Sequence, residues 1–400
     1  MKYLIAICCS LLLSTQSLAQ PATLLSPDLE PSQVTLRSLS PELVRVLDTN
    51  GEAMELSHQQ VLRLSMNHGS VPKIDSALSK VTLRDGQVIV GRLVPSSDEE
   101  AVRVKLDAGR TVQVSLDAML SLAIQLDAPL PKAEEDDALL LVTGEVLLGF
   151  VATFSKTAVG FVIGDADDPI DIPLDRIKAL SIANKPKQPD LSHGTMRVTT
   201  VDGSVLFVED VALTDVKPDK QLVGTSTLPI LSSGTTDEGL SSATSSRIIL
   251  PMNRILAIET TSSQHQLSSL SDHEWKIMTG GEVFGVKMPP RVTADGSIRL
   301  HAPTTLGFDL PKGASRVVFT VAMDLDNTIP ASRRAMAGCE LIVYDGDNAI
   351  AQHTLTPDSA PKRLNLPLGR GDFRIALEAG VNGPVLDRVI FSQGELLVSE

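Results

Sequence analysis

The chain has 400 residues, a formal net charge of −14 and an aromatic content of only 3%. This length allows two or more domains. The acidic balance, unbroken by any basic cluster, excludes nucleic acid as a partner because a phosphate backbone requires a basic surface. Beyond the first 19 residues, no segment approaches the roughly 18 apolar residues of a membrane span, so none is expected.

Residues 1–19 have the pattern of a secretory signal peptide. Lys2 precedes an apolar stretch that runs to Leu13, and the small residues Ser17 and Ala19 occupy the two positions that a signal peptidase reads. Cleavage after Ala19 would leave 34 basic and 49 acidic residues and a net charge of −15. We therefore expect an exported mature protein, located in the periplasm or outside the cell.

The mature sequence would retain a single cysteine, Cys339. One cysteine cannot form an intrachain disulfide, so the fold must be stabilised by core packing. Cys339 lies in a strand-like apolar run without a nearby histidine, and a nucleophilic thiol needs a base. The pattern favours a buried strand residue over a catalytic one.

The region from residue 20 to residue 262 repeats itself at an interval of about 58 residues. Each clear copy has two apolar or alternating runs around a turn with a central glycine, which is the signature of a β-hairpin because glycine accepts positive φ. These hairpins lie at 81–91, 139–149 and 198–207. A second motif, with the pattern Leu-Asp-x-hydrophobic or a variant of it, lies within 56–64, 114–122, 172–180 and 250–258.

A few short strands bury both faces only if the sheet curls on itself. We therefore predict small SH3-like or Sm-like β-barrels that pack end to end. The Leu-Asp-x-hydrophobic motif is predicted to form a one-turn 3₁₀ helix before the last strand of each barrel. The predicted units are a degenerate repeat at 20–70 and further repeats at 79–127, 137–184 and 195–262, the last with a Ser/Thr/Gly-rich loop inserted at 219–246.

From residue 266 to residue 400 many short strand patterns alternate with turn residues, which predicts an antiparallel β-sandwich. Four motifs follow one another there, at 301–310, 319–324, 342–346 and 387–391. In this order they resemble the NPCBM/NEW2 family of carbohydrate-binding modules. The resemblance implies a galactose-binding-like jelly-roll fold and glycan binding, and the arrangement of barrels before such a module is similar to that of secreted planctomycete proteins. Two positions depart from the family pattern: Phe391 replaces a tryptophan, and 322–323 lack a glycine.

Sugar binding usually requires an exposed aromatic ring beside polar groups. Trp275 and Tyr344 are the only aromatic residues of the predicted sandwich that carry a polar group, so they are the candidate carbohydrate-binding residues. For both, packing in the core or at its rim is the alternative. Four phenylalanines of the sandwich are expected to face the core: Phe308, Phe319, Phe373 and Phe391.

Asp324, Asp326 and Asn327 could supply oxygen ligands to a structural calcium ion, and no other cofactor is expected. The second acidic loop, 345–348, contains an Asp-Gly turn signal and is predicted to be a hairpin turn. The sequence contains no nucleophile motif, phosphate-binding glycine loop or paired histidine motif, and its acidic runs lie in predicted loops. We therefore predict that the protein is not an enzyme.

Two classes of function remain. The first is an exported, non-catalytic protein that binds carbohydrate or a cell-envelope glycan through its C-terminal module. The second is a structural or protein-interaction protein that offers edge strands of the barrel repeats to a protein partner. An exposed aromatic residue on the sandwich would favour the first class, and a large apolar patch on the barrels would favour the second.

Overall fold

The structure is a computed structural model. It describes residues 20–399 with these exceptions: 69–73, 76, 97, 107–109, 165, 167, 190, 192–193, 217–218, 229, 232–246, 262–264, 294, 326–327, 370–371 and 385. The predicted signal peptide, 1–19, lies outside the described residues. The described chain consists of β-strands, 3₁₀ turns and one short α-helix, which confirms the all-β fold class. Contacts divide it into two compact units, one comprising residues to Leu24 and Ser32–Thr261, the other Leu25–Pro31 and Ser262–Glu400.

The first unit contains four repeats, each with at least four strands, a 3₁₀ turn and a closing strand. The strands of repeat 1 are β1 (Gln20–Leu25), β2 (Pro31–Leu39), β3 (Leu43–Leu47), β4 (Ala53–Ser57) and β5 (Arg63–Met66). Those of repeat 2 are β6 (Ser79–Leu83), β7 (Val88–Val94), β8 (Ala101–Lys105), β9 (Thr111–Ser115) and β10 (Met119–Ala123). Those of repeat 3 are β11 (Asp137–Leu141), β12 (Val146–Phe154), β13 (Ala158–Ile163), β14 (Ile170–Pro173) and β15 (Ile177–Ser181). Those of repeat 4 are β16 (Met196–Thr200), β17 (Val205–Val216), β18 (Asp219–Ser226), β19 (Ile230–Leu231), β20 (Arg247–Pro251) and β21 (Ile255–Thr260).

A 3₁₀ turn precedes the closing strand of every repeat, as the shared motif predicts. The turns are His58–Gln60, Leu116–Ala118, Leu174–Arg176 and Met252–Arg254. In repeat 2 the Ser115 hydroxyl, and not the motif aspartate, accepts the Asp117 N–H at 3.2 Å and caps the turn. The residue after each turn is buried, and in repeats 2, 3 and 4 it is the first residue of the closing strand, so the turn directs that strand into the core.

The closing strands join the repeats in pairs. Strand β10 of repeat 2 pairs with β15 of repeat 3, so that Leu122 lies opposite Leu180. Strand β5 of repeat 1 pairs with β21 of repeat 4 in the equivalent register, and Leu64 lies opposite Ile258. Repeats 2 and 4 also meet, through β7 and β17. The order of contact along the unit is therefore 1-4-2-3, which differs from the order in the sequence.

The predicted loop at 219–246 is wrong over its first residues. Asp219–Ser226 is strand β18, which pairs with β17 and with β20. Leu222 is fully buried in it, and the Lys220 ammonium donates to the Arg37 carbonyl at 3.0 Å. The region is rich in serine, threonine and glycine, and only a few apolar residues mark the inward-facing positions of the strand. The alternation of apolar and polar residues is therefore weak. Residues 232–246 lie outside the described residues.

The second unit is a β-sandwich. Its strands are β22 (His265–Ser269), β23 (Trp275–Gly280), β24 (Glu282–Val283), β25 (Val286–Lys287), β26 (Arg291–Val292), β27 (Ile298–His301), β28 (Thr304–Phe308), β29 (Ala314–Met323), β30 (Cys339–Asp345), β31 (Asn348–Leu355), β32 (Lys362–Pro367), β33 (Phe373–Ala379) and β34 (Arg388–Ser399). A 3₁₀ turn at Leu270–Asp272 and the helix α1 (Ala331–Arg334) complete the unit. A six-stranded sheet has the order β26-β27-β34-β29-β32 with β22 also on β34, and a five-stranded sheet has the order β23-β28-β33-β30-β31.

The core lies between these two sheets and is built on the four predicted phenylalanines. Phe308 and Phe373 are 5.5 Å apart between ring centroids in the five-stranded sheet. Phe319 and Phe391 are 5.6 Å apart in the six-stranded sheet. All four are buried, which confirms the prediction from strand alternation.

The segment Leu25–Pro31 belongs to the second unit although it lies near the start of the chain. Its Leu29 is fully buried, and the Leu29 carbonyl accepts a hydrogen bond from the Arg363 guanidinium at 2.8 Å. The Asn365 amide donates to the Asp28 carbonyl at 2.8 Å. Because Arg363 and Asn365 lie on β32, the segment covers part of the outer face of the six-stranded sheet.

Candidate functional site

The two candidate sugar-binding residues lie on opposite faces of the five-stranded sheet. Trp275 pairs with Phe308, which pairs with the core residue Phe373. Directly paired residues of neighbouring strands share a face, so the Trp275 ring faces the core, against which it packs half-buried. Tyr344 pairs with Arg374 in the adjacent row, which faces outward because side chains alternate along a strand. The structure does not bring the two rings together.

Tyr344 lies in a polar corner at one end of the outer face. The Arg374 guanidinium is 5.1 Å from the centre of the Tyr344 ring, within the range of a cation–π contact. The same guanidinium donates to the Gly346 carbonyl and lies 3.4 Å from an oxygen of the fully exposed Asp347 carboxylate. The hairpin turn predicted at 345–348 is present between β30 and β31 and positions these groups. The corner offers donors and an acceptor, but the arginine covers one face of the ring.

An exposed aromatic residue that the sequence interpretation missed is Phe284. It is 78% exposed and lies at the tip of the hairpin formed by β24 and β25, where Val283 pairs with Val286. The two residues of the turn, Phe284 and Gly285, have φ of +51° and +81°. Positive φ at both positions is characteristic of a type I′ turn, in which the first residue is normally asparagine, aspartate or glycine.

Phe284 therefore has two unfavourable features. Its aromatic ring is exposed to water, and its backbone is in the left-handed region. The backbone conformation alone costs on the order of 1–2 kcal/mol for a residue with a Cβ atom. Such outliers often mark functional positions. The signal was present in the sequence, because a Phe-Gly pair between two valines predicts a two-residue turn with the phenylalanine exposed at its tip.

Charged and apolar side chains lie on the strands next to this turn in the sequence. Glu282 and Lys287 are exposed and lie opposite each other on the same hairpin, with a carboxylate and an ammonium group near the aromatic tip. The preceding strand, β23, exposes two further apolar side chains, and β25 one. These are Ile277, Met278 and Val286, which are 42%, 44% and 60% exposed. The hairpin thus combines an accessible aromatic ring, apolar surface and both signs of charge.

The proposed calcium ligands are only partly described. Asp324 is half-buried, and its carboxylate lies 3.4 Å from the Arg299 guanidinium. Asp326 and Asn327 lie outside the described residues. Within the described part of the chain, no group of three or more histidine, cysteine, aspartate or glutamate side chains is arranged to hold a metal. Calcium binding stays a prediction.

The Cys339 thiol and the Asp387 carboxylate of the sandwich are buried and have structural roles. Cys339 is buried, and burial together with the nearby Asp387 carboxylate raises the pKa of its thiol to about 12. The fully buried Asp387 side chain accepts the Gly338 N–H at 2.8 Å and the Gly380 N–H at 3.2 Å. It therefore joins the start of β30 to the end of β33. A thiol with this pKa stays protonated at neutral pH and is a poor nucleophile.

Among the described residues, no helix is long and apolar enough to cross a membrane. No protein-family model matches the chain, and no relative was found among curated proteins. Several solved structures are similar to it at low identity. A CBM51 module of Clostridium perfringens GH95 in complex with methyl-galactose is 17% identical, with 33% of this chain and 99% of that chain covered and a TM-score of 0.25.

A structure of the CBM51-2 and INT domains of Clostridium perfringens ZmpB is 14% identical, covering 53% of this chain and 45% of that chain at a TM-score of 0.26. The tandem CBM51 modules of Sp3GH98, a family 98 glycoside hydrolase from Streptococcus pneumoniae, are 11% identical, covering 95% and 88% at a TM-score of 0.26. These structural neighbours are carbohydrate-binding modules. At such TM-scores the similarity establishes no activity for this chain.

Proposed function

We propose that the protein is an exported, non-catalytic carbohydrate-binding protein whose sandwich binds a glycan, such as a cell-envelope component, through the β24–β25 hairpin. The observation that carries the proposal is Phe284, an aromatic ring that is 78% exposed on a turn unfavourable for its backbone. The order of motifs shared with the NPCBM/NEW2 family supports the same class of ligand.

The hairpin has the groups that sugar recognition needs. The C–H face of a pyranose ring packs against an aromatic ring, and its hydroxyl groups require donors and acceptors beside that contact. Phe284 supplies the ring, the Lys287 ammonium can donate, and the Glu282 carboxylate can accept. Both charged groups lie on the two strands that carry the turn, opposite each other.

The Tyr344 corner is a separate place on the same sheet. Four residues along a strand and three strands across put it roughly 20 Å from the end of β23 that leads into the hairpin. One monosaccharide cannot reach both. We assign the principal contact to Phe284, because its side chain is exposed while that of Tyr344 is half-buried beneath Arg374.

The test is a glycan array probed with residues 20–400, since the second unit includes Leu25–Pro31 and a 266–400 fragment would lack that segment. For a glycan that binds, we expect Phe284→Ala to weaken affinity at least tenfold and Phe284→Trp to preserve it. Phe150→Ala, which removes an exposed phenylalanine from the first unit, is the matched control and should bind as the wild type does. Absence of any bound glycan, or unchanged affinity in Phe284→Ala, would contradict the proposal.

A second function, protein binding through the repeats, is favoured by one observation. Six of the nine large apolar side chains that are exposed in the described part of the first unit belong to repeat 3. They are Val142, Val146, Leu148, Phe150, Ile163 and Ile170. This concentration in one repeat of four is the kind of apolar patch that marks an interaction surface.

A further inference from the structure

Each repeat of the first unit has two faces through which repeats can meet. One is the closing strand, which joins repeat 1 to repeat 4 and repeat 2 to repeat 3. The other, here called the hairpin face, is the turn and second strand of the repeat, which in repeats 2 and 4 are Gly86–Val94 and Gly203–Val216. Since the order of contact is 1-4-2-3, repeats 4 and 2 use both faces.

The contact between the hairpin faces of repeats 2 and 4 is reciprocal. Gln87 and Ser204 each follow the turn glycine in their repeats. The Gln87 side-chain oxygen accepts the Phe207 N–H at 2.9 Å, and the Ser204 hydroxyl accepts the Val90 N–H at 3.0 Å. Val90 and Phe207 are themselves equivalent, three residues after Gln87 and Ser204. The interface is thus nearly two-fold symmetric, and equivalent residues make equivalent bonds.

The residues of this contact are removed from water. The exposed fraction is 0% for Gln87, 1% for Ser204, 1% for Val90 and 6% for Phe207. The hairpin faces of repeats 2 and 4 therefore cover each other within the first unit.

The hairpin face of repeat 3 is exposed, unlike those of repeats 2 and 4. Its outward residues, Val146, Leu148 and Phe150, are 49%, 54% and 63% exposed, and we call them the β12 stripe. Leu148 is the equivalent of the buried Val90 and Phe207. Among the described residues, repeat 3 is the end of the series of contacts, where a repeat protein normally presents a polar surface. An apolar end face is expected to have a partner.

The charges around the β12 stripe indicate which kind of partner could bind to it. Glu145 stands where the covered faces have the neutral Gln87 and Ser204. Beside the stripe is an open groove of about 610 Å³, lined by Leu148 and Phe150 and, on its rim, by exposed carboxylates. These belong to Asp117, Glu135 and Asp136, and no lysine, arginine or histidine is among the described residues that line the groove.

A second copy of this chain does not fit well. Pairing of two β12 stripes about a two-fold axis, as β7 and β17 pair, would bring two copies of Glu145 and of the rim carboxylates together. Like charges brought together at an interface cost several kcal/mol. The net charge of −14 adds long-range repulsion between copies.

We propose that the β12 stripe is the docking site for a β-strand or hairpin of a partner protein in which lysine or arginine residues flank an apolar run. The apolar residues would cover Leu148 and Phe150, as repeats 2 and 4 cover each other. The basic residues would face Glu145 and the rim of the groove. A backbone N–H of the partner strand would donate to the Glu145 carboxylate, as the Phe207 N–H does to Gln87.

The probe is taken from the strand that occupies the equivalent interface. A fluorescein-labelled peptide with the sequence of residues 202–209 carries Asp202→Lys and Glu209→Lys, and its control is the unmodified acidic peptide. Binding to the mature chain is measured by fluorescence polarisation. We expect a submillimolar dissociation constant for the lysine peptide, at least tenfold lower than that of the acidic peptide, and rising with salt.

Variants separate docking from general attraction to an acidic protein. We expect Leu148→Ser and Phe150→Ser to weaken binding of the lysine peptide at least fivefold without change in melting temperature, while Phe284→Ser leaves it unaltered. Glu145→Lys should reduce binding of the lysine peptide and raise that of the acidic one. Absence of lysine-peptide binding, or equal binding by Leu148→Ser, would overturn the proposal. So would a wild-type dimer in sedimentation that Leu148→Ser dissociates, since the occupant would then be a second copy.

Discussion

Repeats 2 and 3 of the first unit share length, strand order and a register of 58 residues, and they differ in what covers the same strand. In repeat 2, Val90 on β7 is 1% exposed because repeat 4 lies against it. In repeat 3, the equivalent Leu148 on β12 is 54% exposed. The more apolar of the two strands is thus the one in water. A strand that is apolar on both faces is predicted to be covered on both sides. The pattern does not indicate whether the covering residues belong to the same chain or to another protein.

The difference in burial between Val90 and Leu148 predicts a large difference in stability between variants at the two positions. Val90→Ser places a hydroxyl in the interface between repeats 2 and 4 and removes apolar contact, so we expect the free energy of unfolding of the first unit to fall by about 3 kcal/mol. Leu148→Ser, at the equivalent position, should change it by less than about 0.5 kcal/mol. Urea titration of both variants gives the two values. Equal losses would show that β12 is covered in solution.

A second contrast lies in the closing strands and depends on pH. Glu259 pairs with Arg63 between repeats 4 and 1, whereas Ser181 pairs with Ser121 at the equivalent place between repeats 3 and 2. Burial raises the pKa of Glu259, but Arg63 and Arg197, at 2.6 and 2.5 Å, outweigh it and hold the pKa below its ordinary value of 4.5.

The carboxylate therefore contributes stability above about pH 4.5 that is lost as the pH falls through the lower pKa of the folded state. Glu259→Gln should destabilise the first unit by about 2 kcal/mol at pH 7 and flatten this acid dependence. Melting temperatures from pH 7 to pH 3 provide the measurement, with Ser181→Ala as the control that retains the wild-type profile. An unchanged profile in Glu259→Gln would place the acid-sensitive group elsewhere.

A weaker contrast is expected between the first residues of the first strands of repeats 3 and 2. Asp137 accepts the Val151 and Ala183 N–H groups at 2.8 and 2.7 Å, whereas Ser79 in repeat 2 donates to the Ile124 carbonyl at 2.7 Å. Asp137→Asn keeps one acceptor oxygen and should cost about 1.5 kcal/mol, and Ser79→Ala about 1 kcal/mol. Chemical denaturation measures both losses. A larger loss in Ser79→Ala would contradict the prediction that Asp137 contributes more to stability than Ser79.

Local features of the fold follow from the sequence because they depend on residues close together in the chain. The turn glycines and the motif before each closing strand specify hairpins and 3₁₀ turns within a few residues. Alternation along single strands placed Phe319 and Phe391 in the sandwich core. Where alternation was weak, as around Leu222 in β18, the strand was missed. The Phe284 turn was equally local, and its Phe-Gly pair was sufficient to predict an exposed ring.

Other features depended on which strands meet. Trp275 and Tyr344 are chemically similar candidates, but pairing with Phe308 turns one to the core and pairing with Arg374 turns the other outward. The β repeats, their turns and the core of the sandwich follow from the amino-acid sequence alone, since they arise from short-range patterns and from burial of one face of a strand. The burial of Val90 and the exposure of Leu148 depend instead on the tertiary arrangement of the repeats. Burial of the second face of each strand follows from the order 1-4-2-3, which is set by contacts between residues more than a hundred positions apart.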